Sequence, residues 1–224
     1  MRRSNITALK AVALAALIGL CGSAVPAAAG VIVYNFEQDN CTNGCGLPSY
    51  GTVTLTDLSG GGVNVKLSLL NGSGLISTGA LSGHSLEFRL SGSPAISIAN
   101  LPSLWSIAGP ATFSPNGGFG TFNFALDCNS ACAPNNPWTT GLNFDITTSS
   151  ITTASFIDGG TPQDSYFVAD ISNPNGGKAL TGRIGASYSG FGTTEVPEPF
   201  TLSLFGAGVA GAAALRRRKK ARPA

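Results

Sequence analysis

The chain has 224 residues, a formal net charge of +2 and 43% hydrophobic residues. The charge is unevenly placed: residues 30–195 carry Lys66, Arg89, Lys178 and Arg183 against ten acidic residues, a balance of 4 − 10 = −6, and the other nine basic residues lie near the two ends. An acidic middle removes the electrostatic basis for nucleic-acid binding, so no nucleic-acid partner is expected.

Residues 1–29 predict an export signal peptide with a short signal helix. Arg2, Arg3 and Lys10 give a positive start, an apolar run extends from Ala11 to Leu20, and Ala27-Ala28-Ala29 supplies small side chains. The basic residues stay on the cytoplasmic side, and the apolar run enters the translocation machinery. The small residues let a signal peptidase reach the backbone, so cleavage is expected after Ala29. The run is too short for a retained anchor, which needs about 20 apolar residues. Cys21 follows the bulky Leu20, where a lipid-modified cysteine requires a small neighbour.

Residues 30–195 are enough for one domain with a real core. Period-two alternation predicts strands at Thr52–Thr56, Val63–Leu69, Leu86–Leu90, Ala95–Ala99, Gly120–Leu126, Leu142–Thr147, Thr152–Ile157, Tyr166–Ala169 and Leu180–Tyr188. Ser59-Gly60-Gly61-Gly62 predicts a hairpin between the first two. Gly, Pro, Asn and Ser clusters separate these segments, and none shows a convincing helical period. The expected fold is all-β, an antiparallel β-sandwich of simple jelly-roll type.

Four cysteines belong to this domain, spaced as Cys41–Cys45 and Cys128–Cys132. An exported chain meets an oxidising compartment, which predicts a local disulfide in each pair. Four cysteines allow three pairings, and a zinc site built from all four thiolates is the alternative the spacing tolerates. No metal or cofactor is otherwise indicated. Asp39-Asn40-Cys41-Thr42-Asn43 and Asp170-Ile171-Ser172-Asn173 offer oxygen ligands for calcium, although Asp and Asn also favour ordinary turns.

No catalytic constellation is legible, and the domain is expected not to be an enzyme. A serine-protease-like triad would have to use His84, the only histidine, in a chain without a G-x-S-x-G motif. Carboxylate pairs for glycoside cleavage could be drawn from Glu87, Asp127, Asp145 and Asp170. Trp105 reads as core. Trp138, after the second cysteine pair, is the better candidate for stacking on a sugar ring.

The C-terminal segment 196–224 is organised differently. Val196-Pro197-Glu198-Pro199 precedes an apolar stretch, 200–215, and then Arg216, Arg217, Arg218, Lys219 and Lys220. Pro197 and Pro199 keep the chain extended before the apolar stretch. Sixteen helical residues span roughly 24 Å, short of a hydrocarbon core of about 30 Å, a deficit that snorkelling arginines and local thinning cover. The basic cluster is expected to stay cytoplasmic, which leaves the domain outside the inner membrane. Gly206, Gly208 and Gly211 spell G-x-G-x-x-G, but no strand–helix unit surrounds them, and they read as small faces for helix packing.

Residues 196–220, with a Pro-Glu-Pro motif, a short apolar span and a basic end in that order, resemble the PEP-CTERM sorting domain of exported proteins. That resemblance implies processing by an exosortase, a transient stay in the inner membrane, release to the cell surface or beyond, and association with extracellular polysaccharide or biofilm matrix. A carbohydrate-binding module and a secreted hydrolase are the alternatives for the domain itself.

Overall fold

The computed structural model describes residues 30–41, 44–78, 81–115, 117–129, 132–161, 163–173 and 180–191. The signal helix expected within 1–29 and the transmembrane stretch expected at 200–215 lie outside the described residues. Among the described residues no helix is long and apolar enough to cross a membrane.

Among the described residues eleven strands follow in chain order: β1 (Val31–Cys41), β2 (Gly51–Asp57), β3 (Val63–Leu69), β4 (Gly74–Leu75), β5 (Leu86–Phe88), β6 (Ile98–Ala99), β7 (Trp105–Ala108), β8 (Phe124–Cys128), β9 (Leu142–Ile146), β10 (Phe167–Asn173) and β11 (Leu180–Phe191). Every strand pairing is antiparallel, and the strands form one sheet in the order β6-β9-β3-β2-β1-β11-β10-β5-β8-β7, with β4 added onto β10. The all-β antiparallel expectation holds. The architecture differs from two separately bonded sheets of a sandwich: one sheet curls strongly into a half-barrel, and its own inner face encloses the core.

The inner face is built rung by rung. One rung runs Phe124–Phe88–Phe167–Ala186–Phe36–Gly51 from β8 to β2. The small Ala186 leaves room for Tyr34 to meet Phe167 edge-on at 5.4 Å. Phe88 stacks on Phe124 at 5.4 Å. The other half contributes Leu67–Leu142, Val65–Phe144 and Val63–Ile146. Phe36, Phe88, Phe124, Phe144 and Phe167 are all fully buried, each worth about 2–3 kcal/mol of transfer free energy. The outermost strands β6 and β7 are short, which limits the exposed ladder that an open sheet offers to other chains.

The hairpin between β2 and β3 closes as expected: Asp57 faces Val63, and Leu58 N–H donates to the Gly62 carbonyl at 2.9 Å. Gly62 has φ +96°, and a Cβ there would lie 2.2 Å from the Ile146 carbonyl oxygen, so only glycine fits. Other segments depart from expectation. Thr152–Ile157 is not a strand but carries a 3-10 turn at Thr153–Ser155. Thr152 N–H donates to Ser155 Oγ, and the Asp57 carboxylate accepts from Thr153 N–H at 2.7 Å, so side-chain oxygens replace ladder partners. Of Ala95–Ala99 only β6 is a strand, and the expected Gly120–Leu126 strand is shifted to β8. Gly120 has φ +99°, and Thr121 N–H bonds to the Gly159 carbonyl instead of to a strand partner.

The sheet has two unlike ends. Both cysteine pairs lie at one of them: Cys41 and Cys45 are joined with a Cα–Cα distance of 5.4 Å, and Cys128 and Cys132 with 5.8 Å. The start of β1 and the finish of β11 lie together at the opposite end, where Ile32 faces Phe191.

Candidate functional site

Alternation along a strand sends every second residue to the outer face. On β8, β5 and β10 those residues include Asp127, Glu87 and Asp170, of which Glu87 and Asp170 are buried. Ser85 N–H bonds to the Leu126 carbonyl and Asp170 N–H to the Ser85 carbonyl, so Asp127, Ser85 and Asp170 stand side by side across three chain segments. Glu87 stands one step along, between Ala125 and Val168. Leu81, Phe119, Phe122 and Val168 form a second, small apolar cluster over this face, with Phe113 packed against it. Gly185, in the same row as Val168, makes the cover possible: a Cβ there would meet the Phe119 ring at 2.6 Å.

Thr78 and His84 are each held by one of these carboxylates. Asp170 Oδ2 accepts from the Thr78 backbone N–H at 3.0 Å and from the Thr78 hydroxyl. His84 Nδ1 lies 2.5 Å from Asp127 Oδ1, and the imidazole meets the Phe113 ring edge-on at 4.7 Å. His84 and Asp127 keep 17% and 30% of their side-chain surface in solvent. Glu87 is 1% exposed, and among the described residues its Oε2 has no hydrogen-bond partner. Burial first, and the charge of Asp127 second, push its carboxyl up to about 8. Burial also pushes Asp170 up to about 6, against the Thr78 hydrogen bonds and the charge of Arg183.

The chemical content is a partly exposed His–Asp pair beside a neutral, sealed carboxylic acid. Three of the four candidate carboxylates, Glu87, Asp127 and Asp170, share this face. Asp145 does not; it lies on β9, where it accepts from Asn64 Nδ2 at 2.7 Å and from Asn100 Nδ2 at 2.6 Å. Alternation on β5 and β8 carried the signal for this grouping, but strand order, which sequence did not provide, was needed to read it.

Asp39 and Asp170, from the two segments that offer oxygen ligands, are both engaged within the fold. Asp170 sits within β10, not in a loop. Asp39 accepts from Cys41 N–H at 2.8 Å, Cys45 N–H at 2.7 Å and the Tyr50 hydroxyl at 2.5 Å. Burial opposes ionisation there, yet these hydrogen bonds together hold the Asp39 carboxyl below its ordinary value. The Asp39 oxygens and the Cys41 and Cys45 sulfurs lie within 4.8 Å of one another, but the sulfurs are joined as a disulfide and offer no thiolate to a metal.

Trp138 is half-buried against the core rather than standing clear of it. Its indole N–H donates to the Gly141 carbonyl at 2.6 Å, and its ring meets Trp105 edge-on at 5.8 Å. Sequence reasoning missed a different aromatic group. Tyr34 is buried beneath Tyr166 and Tyr188, with ring centroids at 4.7 and 6.1 Å. Tyr188 remains 45% exposed. The signal was the unassigned run Val31-Ile32-Val33-Tyr34-Asn35-Phe36, whose alternation marks β1.

The sorting residues Val196, Pro197, Glu198 and Pro199 and the basic residues Arg216 to Lys220 lie outside the described residues. Neither a curated protein nor a solved structure matches the chain. Residues 195–219 match the family model of the PEP-CTERM protein-sorting motif. The match covers the tail alone: this segment carries a PEP-CTERM protein-sorting motif, which implies export and processing by an exosortase.

Proposed function

We propose that the domain acts outside the cell as a non-enzymatic surface or matrix protein associated with extracellular polysaccharide or biofilm. In this reading a signal peptidase removes residues 1–29, and residues 200–215 hold the chain transiently in the inner membrane. An exosortase then releases it. The observation that carries the reading is the sorting match at residues 195–219. The sealed state of Glu87 and Asp170 supports it, because carboxylates under an apolar roof hold a fold together more readily than they meet a substrate. The test compares membrane and released fractions with and without the processing enzyme, with the mature C-terminus mapped by mass spectrometry. A released protein that still carries Arg216 to Lys220 would refute it.

A secreted hydrolase is the second reading, favoured by the close approach of His84 Nδ1 to Asp127 Oδ1. There the pair would accept a proton from an attacking water. Hydrolysis of extracellular polysaccharide by the wild type and its loss in His84→Ala would establish this reading. A carbohydrate-binding module using Trp138 would lose polysaccharide binding in Trp138→Ala; unchanged binding would remove that residue from consideration.

A further inference from the structure

Among the described residues, Asp39, Cys41 and Cys45 are the group of three metal-ligating side chains whose donor atoms all lie within 4.8 Å of one another. In the folded domain the two sulfurs share a bond. Every chain is nevertheless made with cysteine thiols, and an exported one is oxidised only once it reaches an oxidising compartment.

The loop that carries these residues is held by more than the sulfur–sulfur bond. Asp39 accepts from the Cys41 and Cys45 N–H groups and from the Tyr50 hydroxyl, and Gly44 N–H donates to the Cys41 carbonyl at 2.9 Å. A disulfide ring of this size adds only about 2 kcal/mol to those bonds. They keep the two cysteine Cα atoms near the 5.4 Å separation of the oxidised domain when the bond is open. Two thiolates on one tetrahedral zinc ion, each about 2.3 Å from it, stand roughly 3.8 Å apart, which cysteines at that spacing reach by side-chain rotation. The sulfurs are buried and Asp39 is exposed, so an ion enters from the Asp39 side. Two thiolates and a carboxylate suit zinc and leave its fourth position to water. The N–H groups and the phenol that orient the carboxylate act as the outer hydrogen bonds that metal ligands require. Cys128 and Cys132 have no such third ligand within that distance among the described residues.

We propose that in the thiol state Cys41, Cys45 and Asp39 bind one Zn²⁺ ion, and that formation of the Cys41–Cys45 disulfide releases it. Binding expels the two thiol protons. Oxidation then passes two electrons from the two thiolates to the disulfide of a protein dithiol oxidase, which takes up two protons and becomes a dithiol; the Cys41–Cys45 bond forms and the ion leaves. Until then the ion keeps Cys41 beside Cys45 and away from Cys128 and Cys132. The site is independent of whether the domain is a matrix protein or a hydrolase.

The test uses the full chain, reduced with a phosphine and titrated with Co²⁺ as a spectroscopic stand-in for zinc. One Co²⁺ per chain with thiolate-to-cobalt charge-transfer absorption is expected. The absorption should persist in Cys128→Ser/Cys132→Ser and vanish in Cys41→Ser/Cys45→Ser. Tyr50→Phe should weaken binding about tenfold, and Asp39→Asn more than that. Absorption that needs all four cysteines, or affinity unchanged in Asp39→Asn, overturns the proposal. Thiol alkylation of the reduced wild type, mapped by mass spectrometry with and without Zn²⁺, covers the case in which a variant fails to fold. Zinc should slow alkylation of Cys41 and Cys45 and leave Cys128 and Cys132 unchanged; equal protection of all four, or of none, refutes the assignment. Adding a disulfide oxidant to the zinc-loaded chain should release the ion as the Cys41–Cys45 bond forms, and zinc retained by the oxidised chain contradicts the exchange.

Discussion

Asp127 on β8 raises the proton affinity of Glu87 on β5, although burial of Glu87 does more. The consequence is a definite pH dependence. The folded domain keeps the Glu87 proton up to about pH 8, whereas the unfolded chain releases it near 4.5. Between those values the folded state binds more protons, so stability falls as pH rises and levels off above about 8. The slope from this group alone approaches about 1.4 kcal/mol per pH unit. Asp170, pushed up to about 6, adds to the fall over the lower part of the window. Urea unfolding across this range should show the decline, and Glu87→Gln should flatten most of it. An unchanged slope in that variant would mean that Glu87 is ionised in the folded domain.

Tyr50→Phe tests the loop between β1 and β2. The phenol donates to Asp39, which also holds Cys41 and Cys45 through their backbone N–H groups. Losing one donor to a carboxylate that holds the loop should cost about 1–3 kcal/mol. Chemical denaturation at neutral pH measures it.

Each disulfide closes a very small ring, with a sequence separation of 4. The loop-entropy relation gives about 2 kcal/mol for a ring of that size. Cys128→Ala/Cys132→Ala should therefore lower the midpoint of denaturation without preventing folding. Mass mapping of the unreduced protein should recover Cys41 with Cys45 and Cys128 with Cys132; free thiols or bound zinc would contradict it.

Gly185→Ala places a methyl group against the Phe119 ring, 2.6 Å away, and against Gln38 Oε1. The roof over Glu87 has to shift, at a cost of about 1–3 kcal/mol. A lower Glu87 pKa should accompany the shift, because water then reaches the carboxyl. Carboxyl titration by NMR checks that directly.

The strand content of the domain was legible because its alternation is local: Val63, Val65 and Leu67 face inward as the pattern requires. Strand β1 was less legible although Tyr34 and Phe36 carry the same signal, because Asp39 to Asn43 have the composition of a loop and mask the strand that leads into them. Closure into one sheet was not legible. It depends on β11 returning to β1 across most of the chain, and no local pattern records that pairing. The carboxylate grouping failed to appear for the same reason, since Ser85, Asp127 and Asp170 become neighbours only through strand order.

The pairing of β1 with β11 also governs the order of events during export. A chain threaded outward from its N-terminus delivers β1 among the first strands and β11 last. Until β11 arrives, β1 lacks one lateral partner and β10 lacks another, so the middle of the sheet is a gap with two open ladders. Such ladders invite pairing with other chains, and long-range pairing of this kind is slow. The nascent domain is thus most vulnerable to misassembly just before its sorting tail leaves the export channel.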